Sequence, residues 1–91
     1  MDLAKAIPTT KTQPAAYVVG PVDGSYLYKG SARNLQERLK DHQAGRVGRT
    51  KNRRPLALHY HRYFADYTEA RRHENYLKTG QGRAWLKDQL R

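Results

Sequence analysis

The stretch that decides the fold runs from a strand into a helix and reads Tyr28-Lys29-Gly30-Ser31-Ala32-Arg33-Asn34-Leu35-Gln36-Glu37-Arg38-Leu39-Lys40-Asp41-His42. Residues 26–30 favour a strand, and Asn34 is a plausible N-cap for the helix that follows. Leu35 and Leu39 are four residues apart and share one face of that helix, which ends at Gly45. This order predicts a sheet with at least one helix packed on it.

The residues before this stretch supply a partner strand. Residues 16–19 are rich in strand formers, and the pair Asp23-Gly24 after Pro21 indicates a turn, so a hairpin is expected. Residues 1–14 carry two prolines and no periodicity, and we expect them to form a flexible tail. Residues 15–91 then form a single domain.

The residues after the first helix continue the alternation of strands and helices. Residues 45–55 hold five basic side chains and no acidic one, and their glycines and proline predict a loop. Residues 56–64 are a strand candidate. Asp66 and Glu69 fit a capping box for a second helix that stops at Gly80, and residues 82–90 form a short third helix. The expected order is β-β-α-β-α-α, an α+β fold with helices on a small sheet.

Composition indicates the class of partner. The 91 residues include 18 Lys and Arg against 8 Asp and Glu, a formal net charge of +10, which favours nucleic acid as the partner. The absence of Cys excludes disulfides, thiolate metal sites and Cys nucleophiles. No apolar run approaches the roughly 20 residues of a membrane span, so we expect no membrane contact and a cytoplasmic location.

Three polar side chains fall beside apolar helix faces. Glu74 lies next to the stripe of Ala70 and Leu77, where a carboxylate needs a cation, a hydrogen bond or a metal. An ordinary salt bridge to an arginine is the structural alternative. Arg38 and His42 are four residues apart beside the Leu-lined face of the first helix. Their structural alternatives are a snorkelling guanidinium and a histidine that complements the helix dipole.

These positions resemble the GIY-YIG nuclease domain. Tyr17 ends the first triplet, and Tyr28-Lys29-Gly30 forms the second, eleven residues later. Arg38 follows eight residues after the triplet's glycine, with His42 four further on and Glu74 on a later helix. The resemblance covers residues 15–79 and implies a three-stranded mixed sheet flanked by helices. It implies catalytic roles for Tyr17, Tyr28, Arg38, His42 and Glu74.

The resemblance implies a divalent-metal-dependent endonuclease that hydrolyses phosphodiester bonds. A two-metal site needs a cluster of carboxylates, and of the eight acidic residues only Glu74 is expected to point inward, so we expect one Mg²⁺ or Mn²⁺ held by Glu74 and water. Arg38 can clamp the phosphate with two hydrogen bonds. The general base is open at this point, because the resemblance favours Tyr17 whereas matching of pKa values favours His42.

The expected substrate is nucleic acid, DNA more readily than RNA, and single-stranded or branched more readily than plain duplex. Sequence preference should be weak, because no recognition helix is predicted. The basic side chains expected to contact the backbone are Lys29, Arg33, Arg46, Arg49, Lys51, Arg53 and Arg54. The oligomeric state is open.

Two other readings compete with the enzyme. One is a catalytically weak or inactive binding module of the same fold, since the first triplet is Ala15-Ala16-Tyr17 and no Asn follows Tyr76. The other is a basic RNA-associated structural protein with chance motif matches. Metal-dependent nicking of labelled DNA separates the enzyme from both.

Overall fold

A computed structural model describes all 91 residues, Met1–Arg91. Its elements, in chain order, are α1 (Leu3–Ala6), β1 (Ala15–Gly20), β2 (Tyr28–Ala32), α2 (Leu35–Gln43), β3 (Ala57–Tyr63), α3 (Tyr67–Leu77) and α4 (Gly80–Gln89). Short 3₁₀ turns occupy Ile7–Thr9 and Lys51–Arg53. The predicted α+β class is confirmed, and from β1 onward so is the order of the elements. None of the helices has the length and apolar character that crossing a bilayer requires.

The sheet has the strand order β2-β1-β3. Strand β1 pairs antiparallel with β2, as the predicted hairpin requires, and antiparallel with β3 on its other side. The sheet is therefore antiparallel throughout and not mixed as expected. Strands β2 and β3 do run in the same direction, but β1 lies between them, so no parallel ladder forms.

Helices cover both faces of the sheet. On one face, Tyr17 and Val19 of β1 pack with Leu35 and Leu39 of α2 and with Leu3 of α1. On the other face, Val18 packs with Leu77 of α3 and Leu86 of α4. Alternate residues of β1 thus point into two separate small cores, which explains why every residue of this central strand is buried.

The first fourteen residues differ from the expected flexible tail. Leu3 is fully buried in the core, and its N–H donates to the carbonyl of Leu56 over 3.0 Å. Leu3, Ala6 and Ile7 follow the i, i+3, i+4 spacing of a helix face, and all three pack on the same core. One turn of helix is too short for that periodicity to be recognised among prolines and polar residues.

The predicted helix boundaries depend on side-chain caps that the structure contains. Asn34 Oδ1 accepts from the N–H of Glu37 over 3.1 Å at the start of α2, and Asp66 Oδ1 accepts from Glu69 over 2.9 Å at the start of α3. Gly45 follows α2 with a φ of 78°, a left-handed conformation that favours glycine. These caps fix the directions in which α2 and α3 leave the sheet, and with them the positions of His42 and Glu74.

Candidate active site

The ring of Tyr17 lies over the edge strand β2, because the residue opposite it on that strand is a glycine. Tyr17 and Gly30 are register partners in the β1–β2 ladder. A Cβ atom on Gly30 would lie 2.5 Å from the hydroxyl oxygen of Tyr17, so a side chain there would displace the phenol ring. The glycine of the second triplet therefore makes room for the tyrosine of the first.

A chain of hydrogen bonds extends from Tyr17 into α2 and the basic loop. The hydroxyl oxygen of Tyr17 lies 2.8 Å from Nε2 of His42, and Nδ1 of His42 lies 2.8 Å from the hydroxyl of Thr50. All three residues are fully buried. Burial, aided by the positive charge of Arg38, lowers the pKa of His42 to about 4, so this imidazole is neutral at neutral pH.

Tyr28 completes an aromatic group around this chain. The ring centroid of Tyr28 lies 6.3 Å from that of Tyr17 and 5.2 Å from that of His42. Tyr17 and His42 meet edge to face at 5.4 Å. Because Tyr28 is only half-buried, it forms the border between the buried pair and the surface.

Arg38 lies on α2 one helical turn before His42, near the tyrosine pair. Burial lowers the pKa of its guanidinium, but the interaction with Tyr17 and Tyr28 outweighs that effect and raises it. Its nearest carboxylate, Asp41, is 3.7 Å away, and both side chains are 38% exposed. Arg38 therefore keeps N–H groups available for an anion at the surface.

The environment of Tyr17 holds its hydroxyl in the protonated form. Burial raises the pKa of Tyr17 well above its ordinary value, and the hydrogen bond with Arg38 opposes the rise. Tyr28 and the carboxylate of Glu74 add to the rise through their charges. Of the five predicted catalytic residues, Tyr17, Tyr28 and His42 lie together beside Gly30. Arg38 stands one helical turn before His42, and Glu74 is hydrogen-bonded to the residue that follows Gly30.

Glu74 reaches this centre from α3, on the other side of the edge strand. Its Oε1 accepts from the hydroxyl of Ser31 over 2.5 Å, and its Oε2 accepts from Lys78 over 2.6 Å. Its side chain is 13% exposed. The partner is thus a lysine of the same helix and a serine of β2, not one of the arginines that the structural alternative named.

The donor set around Glu74 suits only a sparsely liganded ion. The structure contains no group of three or more His, Asp or Glu side chains that could hold a metal. Mg²⁺ is commonly held by one or two carboxylates with several waters retained, which is what Glu74 offers once Lys78 releases Oε2.

The predicted nucleic-acid contacts divide into groups. Lys29 and Arg49 line a groove of about 300 Å³ that also contains Tyr28, and Arg49 and Arg53 line a second of about 550 Å³. Arg33 lines a third groove of about 310 Å³ together with Arg38. Lys51 is exposed on the loop and lines none of these grooves.

Two of the predicted contacts make ion pairs or hydrogen bonds within the protein, and two more, Arg33 and Arg53, lie over tyrosine rings. Arg46 pairs with Asp41 at 3.3 Å. Arg54 donates to the carbonyls of Lys51 and Gln43 over 3.0 and 3.3 Å, and its guanidinium packs on Gly45. Arg54 thus braces the basic loop against the end of α2.

Several site residues escaped the sequence analysis. Lys78 stands four residues after Glu74, a helical ion-pair spacing that identifies it in retrospect. Thr50 and Ser31 carry no such signal, because their partners are 8 and 43 residues away. A fourth groove, of about 490 Å³, adds cations next to Lys29, namely Arg83 and Lys87 of α4 and Arg91 after it.

Comparison with known proteins agrees with this geometry. A family model described as GIY-YIG catalytic domain matches residues 13–87. A UPF0213 protein of Bacillus pumilus is 44% identical over 64 residues, which are 69% of this chain and 64% of the relative. A UPF0213 protein of Staphylococcus haemolyticus is 41% identical over 64 residues, 69% of this chain and 77% of the relative. The match therefore spans less than two thirds of the Bacillus protein. No solved structure matches the chain significantly.

Proposed function

We propose that this chain, which belongs to the GIY-YIG family, is a divalent-metal-dependent endonuclease that hydrolyses phosphodiester bonds in nucleic acid. The observation that carries the proposal is the group of Tyr17, Tyr28 and a neutral His42 beside Gly30, with the carboxylate of Glu74 bonded to the next residue of the same strand. We place this activity in the cytoplasm, with DNA as the favoured substrate.

Arg38 is the group proposed to bind the scissile phosphate. Its guanidinium lies near the tyrosine pair and is 38% exposed, which suits two parallel hydrogen bonds to phosphate oxygens. In the transition state the same donors face the oxygens on which negative charge grows, and there they stabilise it most.

Tyr17 is the proposed general base, acting in its phenolate form. His42, with a pKa of about 4, has little affinity for a proton and is a poor acceptor near neutral pH. Tyr17 has the opposite property: burial raises the pKa of its hydroxyl, so that its phenolate is a strong base, and the positive charge of Arg38 only opposes this rise. A water between Tyr17 and the phosphate would give its proton to the phenolate oxygen while its own oxygen bonds to phosphorus and the bond between phosphorus and the leaving oxygen breaks.

Glu74 is the proposed metal ligand, alone among the acidic residues. A bound Mg²⁺ or Mn²⁺ would neutralise phosphate charge and stabilise the leaving oxygen. Ser31 orients one oxygen of Glu74 through a 2.5 Å hydrogen bond, which leaves the other to exchange Lys78 for an ion. The released ammonium of Lys78 remains beside Tyr28 and Lys29, where it faces the substrate.

A continuous cationic track leads past this centre. Three grooves adjoin one another. The groove beside α4 shares Leu27 and Lys29 with the groove at the start of β2, and the latter shares Tyr26 and Arg49 with the groove at the basic loop. No carboxylate lines any of the three. Burial lowers the pKa of Lys29, and the like charges of Arg83 and Lys78 lower it further, a repulsion that a phosphate would relieve.

The track is a surface for a flexible backbone, because loops and helix sides line it and no helix projects to read a groove of duplex DNA. Half-buried Tyr28 offers a ring on which an unpaired base can stack. We therefore favour single-stranded or branched substrates and weak sequence preference.

A second candidate is a binding module without catalysis. The ion pair of Glu74 with Lys78 favours it, because a lysine at 2.6 Å competes with any metal for the same oxygen.

Incubation with labelled single-stranded, branched and duplex oligonucleotides tests the proposal, with Mg²⁺, with Mn²⁺ and with a chelator. We expect metal-dependent endonucleolytic products that Glu74→Gln abolishes while leaving binding intact. Glu69→Gln, on the same helix but outside the centre, serves as the control. Binding without any cleavage under every metal condition would leave the binding module as the function.

A further inference from the structure

We propose that Thr50 is a positioning residue for the active site: its hydroxyl donates a hydrogen bond to Nδ1 of His42 and so fixes the imidazole with its proton on Nε2, directed at the oxygen of Tyr17. The inference deepens the proposed function and rests on it for its catalytic meaning. The hydrogen-bond arrangement itself rests on the contacts alone.

The hydroxyl of Thr50 is enclosed and has a single hydrogen-bond partner. Thr50 is fully buried, and its Oγ1 makes one hydrogen bond, to Nδ1 of His42 at 2.8 Å. The hydroxyls of Thr9, Thr10 and Thr79 each donate to a carbonyl three residues earlier, but that of Thr50 does not. A buried hydroxyl hydrogen without an acceptor is destabilising. In either tautomer of a neutral His42 one hydrogen lacks an acceptor, on Thr50 or on Tyr17, and because only the phenol can lose it by ionising we assign donation from Thr50 to Nδ1.

The chemistry of imidazole then determines which nitrogen of His42 carries the hydrogen. A neutral ring carries one hydrogen, and burial with a pKa of about 4 keeps His42 neutral. Since Nδ1 accepts, Nε2 bears the hydrogen, and at 2.8 Å its acceptor is the oxygen of Tyr17. The tautomer is thus assigned from the network of partners.

The hydrogen-bonded series of Thr50, His42 and Tyr17 holds more hydrogens than it has contacts. With Thr50, His42 and Tyr17 all neutral, three hydrogens share two contacts, so one hydrogen has no acceptor. Loss of the proton of Tyr17 removes that surplus. The oxygen of Tyr17 then accepts from His42 Nε2, each remaining hydrogen of the three residues has an acceptor, and the positive charge of Arg38 favours the phenolate.

Thr50 therefore favours the phenolate of Tyr17 without touching it. The residue also begins the 3₁₀ turn Lys51–Arg53 in the basic loop, so the loop proposed to bind the backbone and the histidine behind the base share one hydrogen bond.

The first test reads the tautomer directly, in the unaltered protein and without substrate. Long-range ¹H–¹⁵N spectra of ¹⁵N-histidine-labelled protein at pH 7.5 distinguish protonated from unprotonated ring nitrogens. We expect Nδ1 of His42 unprotonated and Nε2 protonated, and we expect the proton to move to Nδ1 in Thr50→Val. A wild-type spectrum with Nδ1 protonated would overturn the inference, whatever the fate of the nuclease proposal.

The second test is kinetic. Thr50→Val should lower kcat about 10- to 100-fold with KM changed less than twofold, the range for removing a group that orients a catalytic ligand. Thr50→Ser keeps the hydroxyl and should restore most of kcat. Equal losses in both variants, or a loss confined to KM, would show that Thr50 only shapes the loop and would contradict a positioning role. Absence of cleavage in the wild type would count against the proposed function and leave the spectroscopic result standing.

Discussion

The two faces of the sheet carry tyrosine–histidine–arginine groups of the same composition. On one face the hydroxyl of Tyr17 lies 2.8 Å from Nε2 of His42, beside Arg38; on the other the hydroxyl of Tyr60 lies 2.8 Å from Nε2 of His73, beside Arg62. Burial raises the pKa of both tyrosines and lowers the pKa of both histidines. A tyrosine–histidine hydrogen bond near an arginine therefore does not by itself define a site.

The surroundings of the two groups differ. His73 lies among the rings of Phe64, Tyr76 and Trp85, at centroid distances of 5.3 to 5.9 Å, and its Nδ1 makes no hydrogen bond within the protein. His42 is hydrogen-bonded to Thr50, and the charge of Glu74 acts on the pKa of its tyrosine partner. The tyrosine–histidine pairs are alike. What distinguishes a candidate reaction centre from a packing cluster is the set of groups next to each pair.

Removing each tyrosine hydroxyl in turn tests most directly whether the two groups differ in function. Tyr17→Phe should lower kcat about 10²- to 10⁴-fold, the contribution of a positioned general base. Tyr60→Phe, which removes a similarly placed hydroxyl, should change kcat less than threefold. Single-turnover cleavage of the same labelled strand by both variants measures the difference. Comparable losses in the two would mean that the pairs do not differ in function.

The pH dependence of stability should also separate the two faces. The pKa of His42 is about 4 in the folded chain and near 6.5 when unfolded, so between these values the unfolded chain binds more protons. His42 then contributes stability that is fully present above pH 6.5 and lost as the pH falls toward 4, about 3 kcal/mol at most. Urea unfolding at pH 7.5 and pH 4.5 measures this loss.

The variant His42→Gln should flatten that slope far more than His73→Gln. The reason is burial: His42 is completely enclosed, whereas His73 is half-exposed. An unchanged pH slope in His42→Gln would place the titrating group elsewhere.

The arginines offer a finer distinction. Arg38→Lys keeps the charge but loses the planar pair of donors and should lower kcat about 10- to 100-fold. Arg62→Lys is the matched control and should leave cleavage within threefold, because Arg62 lies over the ring of Phe64 on the opposite face. Full activity of Arg38→Lys would show that charge alone suffices at the phosphate.

The smallest expected effect on chemistry concerns the cationic track. Neutralising Lys29, Arg83 and Lys87 to Gln should flatten the log–log dependence of affinity on salt by roughly two to three units, with kcat little changed. Lys5, Lys40 and Arg72, which line no groove, provide a control with the same loss of charge. Fluorescence anisotropy across a salt series gives both slopes, and identical slopes would remove the track as the binding surface.

The sequence predicts this fold well because its signals are local. The caps Asn34 and Asp66, the turn at Asp23-Gly24 and the stop at Gly45 each act within a few residues of themselves, and the elements that they bound are present. The packing of residues 1–14 could not be predicted, because Leu3 is held by strand β3, more than fifty residues away.

The candidate site was predictable to the extent that the motif spacing carries it. The resemblance identified Tyr17 and His42, and their 2.8 Å contact agrees with it. The sequence left open whether Tyr17 or His42 is the general base. The pKa of each residue depends on burial and on Arg38, and burial is a property of the folded chain. Thr50 illustrates the remaining limit, since nothing in a loop rich in basic residues marks one threonine as buried.

The segment before β1 also determines how the molecule meets its neighbours. Strand β3 lies at the rim of the sheet, where unpaired N–H and C=O groups form a template for pairing with another chain. Its first residues are paired instead with the N-terminal segment: Asp2 forms a bridge with Ala57, and the N–H of Leu58 donates to the carbonyl of Met1 over 2.8 Å. A segment that composition alone presents as dispensable thus serves as protection against edge-to-edge aggregation in a protein that carries two small cores.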